Sequence, residues 1–206
     1  MTEAHQKLIE LAPSPAENNL SRECFELVSC LTPIVNVDLL ILDGKSRVLF
    51  TWRDDELHGK GWHLPGGIVR FKETTEDRVK QVGKIELGAE VVPIGYPKVV
   101  AECRHATRKV RGHFISFLFH CELVNDGPQV IMKQRNLEET PGEIAWFSHC
   151  PKNLIGVQRF YEDTLAEVIN MSSRNGNIQN IGPKFLSLEY PPVEGTPAEK
   201  VKQGQY

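Results

Sequence analysis

The sequence has 206 residues, of which 40% are hydrophobic and 25% charged, and its formal net charge is −3. This length suits one domain with extensions, and the composition is that of a globular protein. The small negative charge gives no electrostatic reason to expect a nucleic-acid or membrane partner. Because we find neither an apolar run of membrane-spanning length nor a basic region followed by an apolar core at the N-terminus, we expect a cytoplasmic protein.

Five cysteines are scattered along the chain without a C-x-x-C pair. Their odd number and wide spacing argue against a disulfide framework and against a zinc knuckle. We therefore expect reduced thiols that are mostly buried.

Two short helices are expected before the first strand. Apolar residues near Leu8 predict a helix within residues 1–11, and Ser21 is a suitable N-cap for a second helix that Pro33 ends. We treat residues 1–32 as an N-terminal helical extension that packs on the core or on a partner subunit. This extension carries no evident chemistry.

Residues 34–42 predict a strand with two different faces, since successive side chains of a strand point in opposite directions. One face is wholly apolar, whereas the other carries Asn36 and Asp38. A carboxylate in the middle of a strand costs free energy unless it is paired, hydrated or functional. Asp-Gly at 43–44 predicts a tight turn into a second strand, and Arg53 stands at the end of that strand.

The stretch 62–89 carries the strongest functional signal. Its first part predicts a strand that leads into a loop with Gly66 and Gly67, where glycine permits a positive φ or a close approach of the backbone to a ligand. Polar residues from Thr74 onward open a helix, and Gly88 stands where a C-cap glycine is expected. Exposed amides of such a loop can hold phosphate, and nearby carboxylates can hold the divalent cation that accompanies phosphate.

The same stretch resembles a Nudix box, which runs Gly, five residues, Glu, seven residues, Arg-Glu-aliphatic-any-Glu-Glu-any-Gly-aliphatic. The residues in register with that pattern are Gly67, Glu73, Glu86, Gly88 and Ala89. The resemblance implies an α/β fold, the Nudix-type α/β/α sandwich with a mixed β-sheet. It also implies a hydrolase of a small-molecule nucleotide substrate with Mg²⁺, or alternatively Mn²⁺, as cofactor.

Four positions depart from the box. Gln81 stands at the Arg position, and Val82, Gly83 and Ile85 replace a Glu, an aliphatic residue and the first of the paired glutamates. Only Glu86 remains of the three clustered carboxylates. Two-metal phosphoryl chemistry needs enough anionic ligands to hold two ions about 4 Å apart, so this helix alone cannot support it. A single ion that neutralises a nucleoside-diphosphate leaving group remains feasible.

The GDP-mannose mannosyl hydrolase branch of the superfamily is similar in keeping a single Glu before Leu-Gly. That branch cleaves a sugar carbon–oxygen bond instead of a pyrophosphate bond. The stretch 31–42 and the spacing between Arg53 and Trp62 resemble the same branch, so the resemblance covers about the first half of the chain. It implies that Asp38 is a catalytic residue and that Arg53 contacts the leaving phosphate, in catalysis and in substrate binding.

For the metal, the resemblance implies Glu86 and a backbone carbonyl of the glycine pair, which we assign to Gly67. Glu73 is a further candidate, either as a ligand or as a residue that orders the box around the ligands. A simple helix cap is the structural alternative for Glu73. An exposed helical glutamate is the alternative for Glu86.

The general base is the point at which the resemblance fails. The mannosyl hydrolase branch has a Gln-His pair in the loop before a strand Trp, and when Trp146 is aligned these positions are Thr140 and Pro141. The nearest carboxylates are Glu139 and Glu143, which we take as candidate catalytic residues. Acidic surface loops without function are common, which is the alternative.

The basic stretch 104–113 is expected to join two strands of a hairpin within residues 98–123. Arg104 and His113 stand at its ends and are candidate ligands of substrate phosphate. A solvated hairpin tip is the alternative interpretation.

Residues 144–147 predict a last core strand, and residues 156–171 predict a closing helix with which the Nudix domain, 33–171, ends. Residues 172–206 have no strong period and contain several prolines. They predict an irregular C-terminal arm that is partly disordered.

Three functions are compatible with these features. The first is a Mg²⁺-dependent hydrolase of a nucleoside-diphosphate sugar, similar to GDP-mannose, that releases sugar and nucleoside diphosphate. The second is a Nudix pyrophosphohydrolase acting on a nucleoside diphosphate derivative, with ligands recruited from Glu138, Glu139 or Glu143. The third is a non-catalytic nucleotide-binding module. The resemblance also implies a homodimer.

Overall fold

The computed structural model describes residues 2–10, 21–55, 58–124, 139–174 and 178–190. The helices within these ranges are α1 (Glu3–Glu10), α2 (Arg22–Leu31), α3 (Thr75–Val82) and α4 (Glu162–Ser173). The strands are β1 (Ile34–Ile41), β2 (Val48–Asp55), β3 (Gly59–His63), β4 (Gly66–Ile68), β5 (Val91–Pro93), β6 (Val99–His105), β7 (His113–Leu123), β8 (Ile144–Phe147) and β9 (Lys184–Tyr190).

The larger sheet has the strand order β4-β1-β7-β6-β9, with β5 paired to β7. Strand β1 runs parallel to β7 and β6 runs parallel to β9, whereas the other pairs are antiparallel. A smaller antiparallel sheet has the order β3-β2-β8. The predicted α/β fold with a mixed sheet is therefore confirmed.

The two faces of β1 pack against different helices. Val37 and Leu39 are fully buried in one core cluster together with Val79 of α3. Leu40 lies in a second cluster, which includes Leu165 of α4. The larger sheet thus lies between α3 on one face and α4 on the other, as the sandwich implied by the resemblance requires. Asp38 shares the face of Leu40, toward α4.

The glycine pair lies in a strand, not in the predicted loop. Gly66 is paired with Asp38 and Gly67 with Val37 in the antiparallel ladder between β4 and β1. Backbone hydrogen bonds from Leu39 N to Pro65 O, 2.8 Å, and from Val69 N to Val35 O, 2.9 Å, extend the ladder at both ends. The prediction of a loop was wrong because the glycine pair forms a strand only through its hydrogen bonds with β1. The local sequence does not show that pairing.

The helix of the box begins and ends as predicted. Thr74 accepts a hydrogen bond from Asp77 N at 3.0 Å, and Asp77 Oδ2 accepts one from Thr74 N at 3.2 Å, which forms a capping box. After α3, Gly83–Leu87 form one π-helical turn, and Gly88 follows in the left-handed conformation with φ 61°. A left-handed residue at this position ends the helix at little cost only when it is glycine.

The C-terminal segment is more regular than predicted. Lys184–Tyr190 form strand β9, which extends the sheet beside β6 over seven paired residues. Leu186 and Leu188 are partly buried against the core cluster of α4. The expectation of an irregular arm is wrong here because a short edge strand needs only a few alternating apolar residues. Residues 191–206 of the predicted arm lie outside the described residues.

None of the described helices is both long and apolar enough to cross a bilayer.

Candidate functional site

A cavity of about 820 Å³ lies between the box, α2, the 106–112 turn and the segment before α4. Its lining is strongly basic. Among the described residues that line it, five are arginines, four are histidines and one, Asp38, is acidic. The basic residues are Arg53, Arg70, Arg108, Arg111, Arg159, His58, His63, His105 and His113. Such a lining favours a ligand that carries several negative charges.

Asp38 is buried, with 8% of its surface exposed, and three side chains donate hydrogen bonds to its carboxylate. Gln158 Nε2 donates to Oδ1 at 3.0 Å, Tyr161 OH donates to Oδ2 at 2.8 Å, and Ser116 Oγ donates to Oδ2. Gln158 is itself held by Leu64, because its Oε1 accepts from Leu64 N at 2.7 Å. The carboxylate is therefore fixed in one position at the cavity wall.

Burial raises the pKa of Asp38, while the hydrogen bonds from Ser116, Tyr161 and Gln158 act in the opposite direction. The net direction is upward, which makes this carboxylate a stronger base than an exposed aspartate. The same burial, together with the neighbouring Asp38, raises the pKa of Tyr161 well above its ordinary value, so the phenol keeps its proton and remains a donor.

Gly66 permits β4 to approach Asp38 closely. A Cβ atom at Gly66 would lie 2.4 Å from Asp38 Oδ1 and 2.8 Å from Val37 O, so no other residue fits without displacement. At Gly67, a Cβ atom would lie 2.9 Å from a methyl group of Val82. The glycines of the box thus serve close packing around Asp38 and α3.

Glu86 lies in the π-helical turn, which directs its carboxylate toward β3 and β4. Its Oε1 accepts from Gly66 N at 3.4 Å, and its Oε2 lies 3.6 Å from Nε2 of His63. The side chain is 27% exposed, so it remains open to a ligand. Single π-helical turns of this kind occur preferentially at functional sites.

Glu73 is occupied by the box itself. Its Oε2 accepts from Arg70 N at 2.8 Å and from Arg78 Nε at 2.8 Å, and Arg78 Nη2 lies 2.7 Å away. Both side chains are at most 10% exposed. Arg78, one helical turn before Gln81, thus supplies a guanidinium that Gln81 cannot. This geometry fits the ordering role considered for Glu73, and it leaves Oε2 fully engaged.

Two of the four departures from the box, Val82 and Gly83, have packing reasons. Val82 is buried in the core cluster of α3, where a carboxylate would have no partner. A Cβ atom at Gly83 would lie 2.4 Å from a methyl group of Val91, so glycine lets the π-helical turn pack against β5. Ile85 is 71% exposed, which makes it an apolar surface residue in place of a ligand.

The donor set near the box fits one hard cation. Within the described ranges no three His, Cys, Asp or Glu side chains come together as a metal site. A magnesium ion binds through one or two carboxylates and takes its remaining ligands from water and substrate phosphate. Glu86, whose side chain is 27% exposed beside Gly66, could supply one such carboxylate for a single ion.

Arg53 and Arg70 also line this cavity. Arg53 is paired with Asp55 at 2.6 Å, and His58 N donates to the same carboxylate at 2.8 Å. Arg70 is half-buried, and its pKa is lowered by burial and by the neighbouring Arg78. Both guanidinium groups lie in the same cavity as Asp38.

Of the other two predicted substrate ligands, His113 and Arg104, only His113 lines the cavity. His113 lines the cavity, with its Nε2 3.2 Å from Glu102 Oε1. Arg104 is exposed and is not among the lining residues, since its Nη2 donates to Ser187 of β9 at 3.3 Å. The pairing of β6 with β9, which the sequence did not reveal, holds Arg104 on that side.

Glu139 and Glu143 are not brought to the cavity either. Glu139 is exposed and accepts from Asn153 Nδ2 at 3.0 Å. Glu143 carries a structural hydrogen bond, because its carbonyl accepts from Trp52 N at 2.8 Å. Glu138 lies outside the described residues.

Sequence reasoning missed Gln158, Tyr161 and Ser116. Each lies in an element that was predicted, but none stands in a motif. Their partner Asp38 is 78 to 123 residues away along the chain. The polar face of residues 34–42 was the available signal, because a buried carboxylate predicts hydrogen-bond donors without identifying them.

Comparison with known proteins yields structural similarity only. No protein-family model matches the chain, and no curated protein matches it. The structure resembles a Nudix hydrolase from Nitrosomonas europaea, with a TM-score of 0.53 and 17% identity over 77% of this chain and 80% of that chain. It also resembles a UDP-X diphosphatase, with a TM-score of 0.50 and 15% identity over 88% of this chain and 80% of that chain.

A third similar structure is the MutT protein from Methanosarcina mazei, with a TM-score of 0.50 and 20% identity over 66% of this chain and 95% of that chain. At such identities the likeness establishes the fold and leaves the chemistry to the site. The chain has the Nudix fold that the box predicted.

Proposed function

We propose that this protein hydrolyses a nucleoside-diphosphate sugar, similar to GDP-mannose, and releases the sugar and the nucleoside diphosphate. The observation that carries the proposal is the basic cavity that contains Asp38 and Arg53 and adjoins the single box carboxylate, Glu86. The protein has the fold of Nudix hydrolases, and the similar structures include a UDP-X diphosphatase. A nucleoside diphosphate is thus a reasonable substrate class.

The charges of the cavity support a diphosphate ligand. Arg53 and Arg70 would bind phosphate oxygens through charge-assisted hydrogen bonds, for which the guanidinium fork is well suited. A bound Mg²⁺ or Mn²⁺ at Glu86 would neutralise negative charge on the diphosphate.

The supply of carboxylates favours cleavage at the sugar carbon. Glu86 alone fits one ion, whereas an attack on phosphorus between two ions needs further anionic ligands. Glu86 contacts Gly66 and His63 of the cavity lining, whereas Glu139 accepts from Asn153 outside it, and Glu143 is not a lining residue either. Cleavage of the carbon–oxygen bond needs a good leaving group and a base that activates water.

We assign to Asp38 the role of the general base that activates water. The oxygen of water bonds to the anomeric carbon of the sugar while the bond from that carbon to the diphosphate oxygen breaks. The electron pair of that bond leaves on the diphosphate, and the carboxylate of Asp38 takes the proton of the water. Its raised pKa and its three donors, which hold it in place, suit this task.

Product analysis on a panel of nucleotide sugars with Mg²⁺, read by phosphorus NMR, tests the proposal. We expect nucleoside diphosphate and free sugar. Asp38→Asn and Glu86→Gln should each lower kcat by about 100-fold or more, because one removes the base and the other the metal ligand. The matched control is Glu76→Gln, an exposed box-helix glutamate paired with Lys80, which should retain activity.

Nucleoside monophosphate with sugar phosphate would contradict the proposal and would restore pyrophosphate cleavage. Tight binding of a nucleotide without turnover of any panel member would instead support a binding module.

A further inference from the structure

The turn between β6 and β7 brings two arginines of the cavity into place. Residues 106–112 form this turn, and both Arg108 and Arg111 line the cavity. His105 Nδ1 accepts from Thr107 N and Arg108 N, each at 3.3 Å, and His105 N donates to Gly112 O at 2.6 Å. The turn therefore has a defined backbone.

Gly112 is required for this backbone. A Cβ atom there would lie 2.3 Å from the carbonyl oxygen of Arg108, closer than any side chain could be accommodated. Arg111 has a φ of 53°, which is the left-handed region. Non-glycine residues in this region are strained, and such residues cluster where a ligand is held.

Helix α2 holds Arg111 from outside the Nudix domain. Ser29 is the buried residue of α2, and its Oγ accepts from Arg111 N at 3.1 Å. The guanidinium carbon of Arg111 lies 4.9 Å from the ring centroid of Phe25, which itself lines the cavity. The two contacts fix the backbone and the side chain of Arg111 separately.

Arg111 lies near other positive charges of the cavity. Burial and the neighbouring charge of Arg53 lower the pKa of Arg111, whereas the carboxylates of Asp55 and Glu26 act in the opposite direction. Like charges that are gathered in a partly buried cavity repel each other, and an anion relieves the repulsion. Arg53 links this side of the cavity to the diphosphate site, since the same guanidinium belongs to both.

We propose that the N-terminal extension completes an anion subsite in which Arg111, positioned by Phe25 and Ser29, binds a phosphate group of the nucleotide substrate. This rests on the proposed function and assigns to residues 21–32 a role in substrate binding that the sequence did not indicate. Arg111 touches the ligand, whereas Phe25 and Ser29 are positioning residues.

Calorimetric titration of the full-length protein with inorganic pyrophosphate, without divalent metal, tests the subsite. Arg111→Asn removes the guanidinium and suits the left-handed backbone. It should raise the Kd by about tenfold or more, since a charge-assisted contact is lost. Ser29→Ala, which only frees the turn, should raise the Kd by about threefold. Lys109→Gln, an exposed residue of the same turn, is the charge-matched control and should change it by less than about twofold.

Equal binding of pyrophosphate by Arg111→Asn and the wild type would overturn the subsite, as would a wild type that does not bind pyrophosphate. Thermal unfolding of each variant separates loss of binding from loss of fold. If Arg111→Asn is unstable, Ser29→Ala decides, because a merely structural contact would lower the unfolding temperature without changing the Kd.

The outcomes also separate this inference from the proposed function. A wild type that binds pyrophosphate through Arg111 but releases no sugar would uphold the subsite and contradict the hydrolase. Sugar release with unchanged binding in Arg111→Asn would do the reverse.

Discussion

Asp38 is a buried carboxylate, and it is the residue to which we assign the activation of water. Its carboxylate lies in mid-strand on β1, and the structure satisfies it with donors from β7 and from the segment before α4. Gly66 gives the cavity side of the carboxylate room. The residue type and the strand pattern predicted a polar pocket, but the donors were unpredictable because they come together only in the tertiary fold.

Glu73 shows how a box residue acts through its neighbours. Glu73→Gln should lower the free energy of unfolding by about 3 kcal/mol, because it leaves the buried Arg78 guanidinium without its carboxylate. Urea unfolding measures the change. Glu76→Gln is the matched control, since its pair with Lys80 is exposed and should contribute about 0.5 kcal/mol or less. An unchanged stability in Glu73→Gln would exclude the ordering role.

His58 predicts how stability depends on pH. Burial, the neighbouring Arg53 and the charges of Arg111 and Arg108 lower the pKa of His58 to about 3, against the opposing Asp55. The unfolded chain, with an ordinary histidine pKa of about 6.5, therefore binds more protons than the folded protein between these values. The contribution of neutral His58 to the free energy of unfolding should therefore be fully present above pH 6.5. It should be lost as the pH falls toward 3.

Urea unfolding at pH 7 and pH 5 measures this dependence. The wild type should lose about 2 kcal/mol between these pH values through His58 alone. The free energy of unfolding of His58→Gln should fall by about 2 kcal/mol less than that of the wild type between these pH values. The exposed His5→Gln should behave as the wild type. Identical pH dependence in His58→Gln and the wild type would show that folding does not lower the pKa of His58.

At the scale of elements, local signals predicted the box helix well. Thr74, Gly88 and the apolar spacing of α3 fixed its ends, because caps act within one turn of chain. The π-helical turn was not predictable, since it depends on Gly83 meeting Val91 of β5. That contact turns a departure from the box into the feature that directs Glu86 toward β3 and β4.

Strand β9 was missed for a similar reason. Seven residues with a weak alternation become a strand only because β6 offers a free edge. Leu188→Ala should lower the free energy of unfolding by about 1 to 2 kcal/mol, as it removes a partly buried side chain from the core cluster of α4. Phe185→Ala on the same strand, where the ring is 77% exposed, is the control and should change it by less than about 0.5 kcal/mol.

Equal effects of Leu188→Ala and Phe185→Ala in urea unfolding would contradict the packing of β9 on the core.

At the scale of the whole molecule, fold and chemistry rest on different observations. The Nudix fold is established by the structure and its likeness to Nudix hydrolases at less than 25% identity. The site differs from a two-metal box because its helical segment carries one carboxylate, Glu86, whereas Val82 is buried in the core and Ile85 is an exposed apolar residue. The sequence therefore predicted the fold through the box. Of the cavity residues outside the box, it singled out Asp38, Arg53 and His113 but not their neighbours.

The cavity joins parts of the chain that are far apart in sequence. Phe25 of α2, Arg53 of β2, Arg111 of the turn and Gln158 before α4 all line it. Under the proposed function, substrate recognition would thus depend on the assembled fold, including the N-terminal extension. This is why no single stretch of sequence identified the nucleobase or the sugar of the proposed substrate.

Isotope labelling tests the central claim, cleavage of the bond between the sugar carbon and the diphosphate oxygen, most directly. The nucleotide sugar that is turned over fastest is hydrolysed in ¹⁸O-labelled water with Mg²⁺, and both products are analysed at once by mass spectrometry. We expect the label in the released sugar and none in the nucleoside diphosphate, because water attacks carbon. Label in a phosphate group of either product would show attack on phosphorus and would contradict the account.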